Sequence, residues 1–188
     1  RFPETIGIIA SKESAAYTDF LRILRNRWGG VRVLVQSTAV QGDGAVGDIV
    51  GAFRHFNNPL SSPLHKGEKR GLSDVLVLTR GGGSLEDHQA FNSEEVARAI
   101  FASPIPVVVG VGHERDVTIA DLVADVRAST PSNAAELVVP DRRDVANEIA
   151  AMVDTMDAQM RLMCTSRRSA LERFMHRGAS FAQRRRAD

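Results

Sequence analysis

The sequence predicts an α/β fold: a three-layer, mainly parallel sheet of about four strands, followed by a long C-terminal helix. Short β-branched and apolar runs alternate with segments of helical periodicity over residues 1–140, which is typical of parallel strands joined by crossover helices. From Asp141 onward, apolar residues recur at spacings of three, four and seven. We therefore expect an α/β domain at 1–140 and a helical arm at 141–188.

The predicted strands are short, apolar and bounded by turn residues, as in a Rossmann-like or flavodoxin-like sheet. They are Thr5–Ala10, Val31–Val35, Asp74–Thr79 and Val107–Val111. Helices are predicted between and after them, the first capped by Ser14: 15–28, 45–56, 93–102, 119–126 and 131–137. The polar segment 59–73, without periodicity, predicts an exposed and mobile loop.

The arm is predicted to be one helix with a single apolar stripe, because no glycine precedes Gly178. Methionines dominate the stripe, so it is softer than a leucine zipper and should pack on a partner chain or a returning helix. Its members are Val145, Ile149, Met152, Met156, Met160, Met163, Leu171 and Phe174.

The composition limits the function classes. Of 188 residues, 43% are hydrophobic and 25% charged, as in an ordinary soluble protein, and no apolar run reaches the ~20 residues that span a bilayer. A net charge of +1 and 5% aromatic residues do not favour an extended base-stacking surface. The single Cys164 fits a cytoplasmic location. Because the chain begins at Arg1 without a methionine, we expect a piece of a longer protein.

Polar loops follow all four predicted strands, and parallel strands end on the same side of a sheet, where ligands bind. One loop reads Arg80, Gly81, Gly82, Gly83, Ser84. Glycines allow successive N–H groups to turn toward an anion, and a guanidinium at the lip of the loop suits a phosphate. The alternative is a tight turn with a structural ion pair. The loop lacks the Gly-Lys-Ser/Thr ending of a nucleotide-binding P-loop, so ATP hydrolysis is not favoured.

His113 follows the fourth predicted strand, with Asp116 close behind it. An imidazole changes charge near neutral pH, so His113 suits a general acid or base in phosphodiester chemistry. The alternative is a histidine that only bonds backbone at a strand end. By pattern alone, Asp19 on the first predicted helix is a solvated surface acid.

A Mg²⁺ site is a further alternative, because several side chains near these loops are hard ligands. Adjacent loop residues rarely bind one ion together, and acids in a first helical turn are explained by the helix dipole. A metal is therefore not preferred. The residues are Glu86, Asp87, His88, Glu114 and Asp116.

A series of ordered motifs resembles the large subunit of bacterial exonuclease VII. Residues 4–140 are similar to its catalytic domain, and 141–188 to the start of its helical arm. The motifs are Val40-Gln41-Gly42, Arg80-Gly81-Gly82-Gly83-Ser84-Leu85-Glu86-Asp87, Ala90-Phe91-Asn92, Val96-Ala97-Arg98-Ala99-Ile100, Val111-Gly112-His113-Glu114, Thr118-Ile119-Ala120-Asp121, Val123-Ala124-Asp125 and Thr130-Pro131-Ser132.

The resemblance implies an exonuclease that degrades single-stranded DNA to short oligonucleotides without a required metal. It implies several copies of a small subunit bound through the arm, large-subunit self-association and no membrane contact. It places essential roles on Asp19, Arg80, His113 and Asp116, which changes the view of Asp19. Phosphate or DNA contacts are expected from Arg80 and the loop residues Gly81, Gly82, Gly83, Ser84, Gln41 and Gly42.

The sequence departs from the family pattern without touching those four essential positions. Arg115 stands where a threonine is usual, and Asp87-His88-Gln89 replaces Asp-Leu-Trp. We expect the chemistry to survive with altered substrate contacts. Two other functions stay open at this point: a non-catalytic phosphate- or nucleotide-binding module with a dimerising helix, and a scaffold whose arm recruits partners.

Overall fold

A computed structural model describes residues 2–58, 73–81, 85–111 and 117–184. Contacts within the chain divide it into two compact units, Arg1–Arg142 and Arg143–Asp188. The first unit holds a sheet and the helices that cover it, and the second belongs to one long helix.

Five parallel strands form one sheet in the described part of the chain. They are β1 Thr5–Ala10, β2 Arg32–Ser37, β3 Val75–Thr79, β4 Val107–Gly110 and β5 Val126–Arg127. Their order is β2-β1-β3-β4-β5, the 2-1-3-4-5 order of flavodoxin-like proteins. The predicted α/β fold with a parallel sheet is therefore confirmed, with five strands where about four were expected.

Helices follow the strands as the sequence predicts. Ser14 caps the first by accepting a hydrogen bond from the backbone N–H of Tyr17, and Ser93 and Thr130 cap later ones in the same way. The helices are α1 Ala15–Arg27, α2 Ala45–Asn57, the 3₁₀ helix Leu85–Asn92, α3 Glu94–Phe101, α4 Ile119–Val123, α5 Pro131–Val138 and α6 Arg142–Arg184.

Two predictions near the sheet were wrong in detail. The helix expected to reach Val126 ends at Val123, because Val126 and Arg127 pair with β4. The backbone N–H of Ala128 then donates a 2.7 Å hydrogen bond to the Val109 carbonyl. The segment 59–73 was expected to be exposed; residues 59–72 lie outside the described part, and Ser73 is buried.

The sheet is covered on both faces, which gives the predicted three layers. Side chains alternate along each strand, so Ile9 and Leu78 pack with α2 and α3, whereas Ile8 and Val77 pack with α1 and α5. Gly7 lies in the middle of β1 because space is lacking there: an added Cβ would be 2.5 Å from Cδ2 of Leu76.

The second unit is formed by α6, a helix of 43 residues counted from Arg142. The predicted long helix is confirmed. Its apolar stripe is solvent-exposed in the described residues: Met152, Met156 and Met163 are each more than half exposed. None of the helices in the described ranges combines the length and apolar character needed to cross a membrane.

Candidate functional site

Three loops leave the sheet side by side on its carboxyl side, meaning the side where the parallel strands end. Ile9 in β1 pairs with Leu78 in β3, and Thr79 pairs with Gly110 in β4. The buried Thr79 hydroxyl also donates a 2.9 Å hydrogen bond to the Gly110 carbonyl oxygen. Because neighbouring strands lie about 4.8 Å apart, the loops after β1, β3 and β4 start at adjacent points. Their predicted convergence is confirmed at these starting points.

Gly81 lies against the first turn of α1. A methyl group placed on Gly81 would lie 3.7 Å from Cβ of Ser14 and 4.0 Å from the backbone nitrogen of Ala16. In this strand order, the crossover direction reverses between β1 and β3, which is where ligands bind in such sheets. The exposed N–H groups of a helix N-terminus favour an anion. The start of the glycine loop and the start of α1 therefore meet at the expected ligand crevice.

The conformation of Gly81 differs from one expectation. Among the described residues, Gly42 alone has a positive φ, at 84°. A side chain at Gly81 would make only ordinary van der Waals contacts. Within the described residues, neither the backbone angle nor crowding requires glycine at position 81.

Arg80 is buried rather than placed at an open lip of the loop. Its side chain is only 2% exposed, and it is the largest fully buried side chain in the described part of the protein. Arginine is almost never fully buried in a protein unless it is paired. Its burial directly after β3 puts a permanent positive charge in the protein interior near the carboxyl end of that strand.

Asp19 lies about one turn beyond the start of α1. Its Oδ1 accepts a 2.9 Å hydrogen bond from Arg22, and its side chain is 49% exposed. The ion pair with Arg22 contributes little to the stability of the fold, because both of its side chains are exposed to solvent. The carboxylate is therefore accessible from solvent.

Gln41 and Gly42 line an open cavity on the same side of the sheet. The cavity has a volume of about 480 Å³ and lies between the β2–α2 loop and the end of the 3₁₀ helix, where Gln89, Ala90 and Ser93 form the opposite wall. The positive φ of Gly42 allows the tight turn in which the N–H of Ala45 bonds the Gly42 carbonyl, at 3.1 Å.

Five predicted site residues lie outside the described part of the chain, and their roles stay predictions. They are Gly82, Gly83, Ser84, His113 and Asp116. Among the residues that are described, no three acids, histidines or cysteines are grouped so that they could hold a metal ion.

Several residues that brace the site were not picked out as functional by the sequence. The loop after β4 returns to the fold at the start of α4, where the backbone N–H of Ile119 donates a 2.9 Å hydrogen bond to Oδ1 of Asn92. The segments that follow β3 and β4 are therefore tied together at both ends, by Thr79 and Gly110 and by Asn92 and Ile119. No signal in the sequence indicates the partner of Asn92.

Thr118 and Asp121 form a capping box at the same place. Oδ2 of Asp121 accepts hydrogen bonds from the backbone N–H and the hydroxyl of Thr118, at 2.9 and 2.8 Å. Asp121 is 5% exposed, and its Oδ1 accepts no hydrogen bond from the described part of the chain. The Thr-x-x-Asp spacing before an apolar run is a sequence signal that could have found this pair.

The fold defines a doubly wound α/β protein in which the crossover direction reverses between β1 and β3, the place where such proteins bind ligands. The whole chain, residues 1–188, matches the family model described as "Exonuclease VII, large subunit". The chain belongs to this family.

Curated relatives agree with this assignment. The chain is 50% identical over 159 residues to the exodeoxyribonuclease 7 large subunit of Syntrophotalea carbinolica, covering 85% of this chain and 37% of the relative. It is 46% identical to the same subunit of Geotalea uraniireducens, over 86% of this chain and 34% of the relative. It is 46% identical to the same subunit of Desulforudis audaxviator, over 93% of this chain and 40% of the relative. The chain thus spans little more than a third of the length of these relatives.

Proposed function

We propose that this chain is the catalytic part of an exodeoxyribonuclease that hydrolyses phosphodiester bonds of single-stranded DNA to short oligonucleotides. The observation that carries the proposal is the meeting of Gly81 with the first turn of α1, directly after the buried Arg80, in a chain of this family. That arrangement suits a phosphate, and the printed names of the relatives specify DNA cleavage.

The chemistry divides between groups that hold the phosphate and groups that move a proton. Arg80 and the N–H groups of the glycine loop stabilise the charge that develops on the phosphate oxygens. Water attacks phosphorus and the bond to the leaving sugar oxygen breaks. His113 takes the proton from the water or gives one to the leaving oxygen. Asp116 or Asp19 orients the imidazole.

The reaction is proposed to need no metal cofactor, with Mg²⁺ the alternative that is not preferred. Arg80 already supplies the positive charge that a metal would bring to the phosphate. Cleavage of labelled single-stranded DNA in excess chelator should equal cleavage in Mg²⁺. A reaction that stops in chelator and resumes when Mg²⁺ is restored would overturn this part of the proposal.

The proposed partners are single-stranded DNA, several copies of the family's small subunit bound along α6, and a second large subunit. The exposed apolar stripe of α6 supports a helical partner, because an apolar stripe on a helix is normally buried against another element. The proposed location is the cytoplasm, without membrane contact.

The proposal is tested by His113→Ala in the full-length large subunit assembled with its small subunit. We expect cleavage of single-stranded DNA to fall about 10²- to 10⁴-fold, because a general acid or base is removed. His55→Ala is the matched control: His55 lies in the last turn of α2, which points to the amino side of the sheet, so its removal should leave the rate unchanged.

Two results would contradict the proposal. If wild-type protein binds single-stranded DNA but never shortens it, the chain is a non-catalytic binding module. If His113→Ala cleaves as fast as wild type, the assignment of the proton carrier is wrong. A melting temperature within a few degrees of wild type shows that a lost rate is not a lost fold.

A further inference from the structure

The cavity beside Gln41 differs in charge from the rest of the crevice. Its described lining includes one carboxylate, Asp43, and the two side-chain amides of Gln41 and Gln89, but no lysine or arginine. A phosphate at this place would be repelled by Asp43, whereas the N-termini of α2 and α3, which begin at the cavity, would attract it. The described side chains of the cavity offer hydrogen bonds rather than positive charge, which suits a neutral polar group.

The size and position of the cavity suit part of a substrate. Its volume of about 480 Å³ falls within the ~300–1,000 Å³ that is typical of small-ligand sites. The 3₁₀ helix that forms one wall continues the chain from the glycine loop after β3 and packs on α2. The other wall follows β2, the strand next to β1. A group bound here would lie beside the phosphate crevice between β1 and β3.

The lining groups match the chemistry of a nucleobase. Val46 and the buried Ala90 provide an apolar surface, against which the flat face of a base can pack. Each glutamine amide offers both a donor and an acceptor, and Asp43 can accept from an exocyclic amine. Ser93 keeps a hydroxyl donor, because its oxygen accepts from the N–H of Val96 at 3.2 Å.

We propose that the cavity between Gln41 and Gln89 binds a nucleobase of the single-stranded substrate, next to the nucleotide whose phosphate lies in the crevice. The inference rests on the proposed function, because it takes single-stranded DNA as the ligand. In this proposal the β2–α2 loop binds the base, and the loop after β3 binds the phosphate. Hydrogen bonds here read the base edge without an aromatic stacking partner.

The test compares oligonucleotides that lack one base with oligonucleotides that lack one backbone charge. A single abasic residue, or a single methylphosphonate, is moved along a short single-stranded DNA. Cleavage rate and binding, the latter by fluorescence anisotropy, are measured for the full-length enzyme and for the double variant Gln41→Ala/Gln89→Ala. Asn26→Ala is the control, because this exposed residue near the end of α1 lies toward the amino side of the sheet.

We expect one position at which an abasic residue weakens the wild-type reaction about tenfold, the size of one good base-edge contact. At that position the double variant should show less than a twofold penalty, while Asn26→Ala keeps the tenfold penalty. Methylphosphonate penalties should be the same in all three proteins. Because both glutamines are exposed, the double variant should melt like wild type.

Other outcomes separate this inference from the proposed function. An abasic penalty that is equal in wild type and double variant overturns the base site. A methylphosphonate penalty that disappears in the double variant overturns it as well, because the cavity would then hold a phosphate. A protein that cleaves nothing contradicts the proposed function, and the binding data still decide whether the base contact exists.

Discussion

The two sides of the sheet use their aspartates differently. On the amino side, where the strands begin, Oδ2 of Asp74 accepts hydrogen bonds from the backbone N–H groups of Glu4 and Thr5, at 2.8 and 2.9 Å. Asp125 accepts one from Val107 at 2.8 Å. On the carboxyl side, within the described ranges, Asp19 bonds an exposed arginine and Asp43 lines an open cavity.

The difference separates residues that stabilise the fold from residues available to a ligand. Carboxylates on the amino side satisfy strand N–H groups that would otherwise lack partners. On the carboxyl side, Asp19 and Asp43 leave carboxylate oxygens accessible, whereas Asp121 is buried in the capping box of α4. We therefore expect substitution of Asp74 to lower the free energy of unfolding, and substitution of Asp19 to lower activity.

The largest effect is expected at Asp19. Asp19→Asn in the full-length enzyme should lower the rate of single-strand cleavage at least about 100-fold, because it removes a carboxylate that is proposed to orient the His113 imidazole. The free energy of unfolding should change by less than about 0.5 kcal/mol, since the pair with Arg22 is exposed. A variant that keeps the wild-type rate would remove Asp19 from the site and return it to the role of a surface acid.

The next largest effect is expected on stability, at Gly7 in the middle of β1. Gly7→Ala should lower the free energy of unfolding by about 1–3 kcal/mol, because the new methyl would meet Leu76 at 2.5 Å and Phe56 at 3.0 Å. Gly51→Ala is the matched control. Gly51 lies inside α2 with open space around it, so this change should stabilise the protein by about 0.5–1 kcal/mol. If urea unfolding shows that the free energy of unfolding changes in the same direction in both variants, the close packing around β1 is contradicted.

A smaller effect is expected at Asp74. Asp74→Ala removes the acceptor for two backbone N–H groups, which water can partly replace because Asp74 is exposed. The free energy of unfolding should fall by about 1 kcal/mol. The cleavage rate measured below the melting temperature should not change. A slowed reaction in a fully folded variant would show that the two sides are not separate.

The smallest effect is expected at Arg22, the ion-pair partner of Asp19. Both side chains are about half exposed or more, so Arg22→Ala should change the free energy of unfolding by less than about 0.5 kcal/mol. The cleavage rate should stay within about twofold of wild type if Asp19 acts directly on the ligand or on His113. A loss as large as that of Asp19→Asn would mean that the pair, and not the carboxylate alone, forms the site.

The sequence by itself determined the parts of this protein that depend on local chemistry. Buried β-branched runs form β1, β3 and β4, Ser14 caps α1, and the unbroken heptad-like pattern gives α6. The alternation of strands and helices also predicted that the polar loops would share the carboxyl side. Parallel strands joined by crossover helices all end on the same side of the sheet.

Only the tertiary structure decided which local signals were overridden and where side chains meet. Val126 and Arg127 leave a helical pattern because β4 offers them hydrogen-bond partners from a distant part of the chain. Arg80 is buried, the N–H of Ile119 bonds the side chain of Asn92, and Gln41 and Gln89 line the same cavity. Each of these depends on the order of the strands, which brings together segments far apart in sequence. Periodicity within one segment carries no information about such pairs.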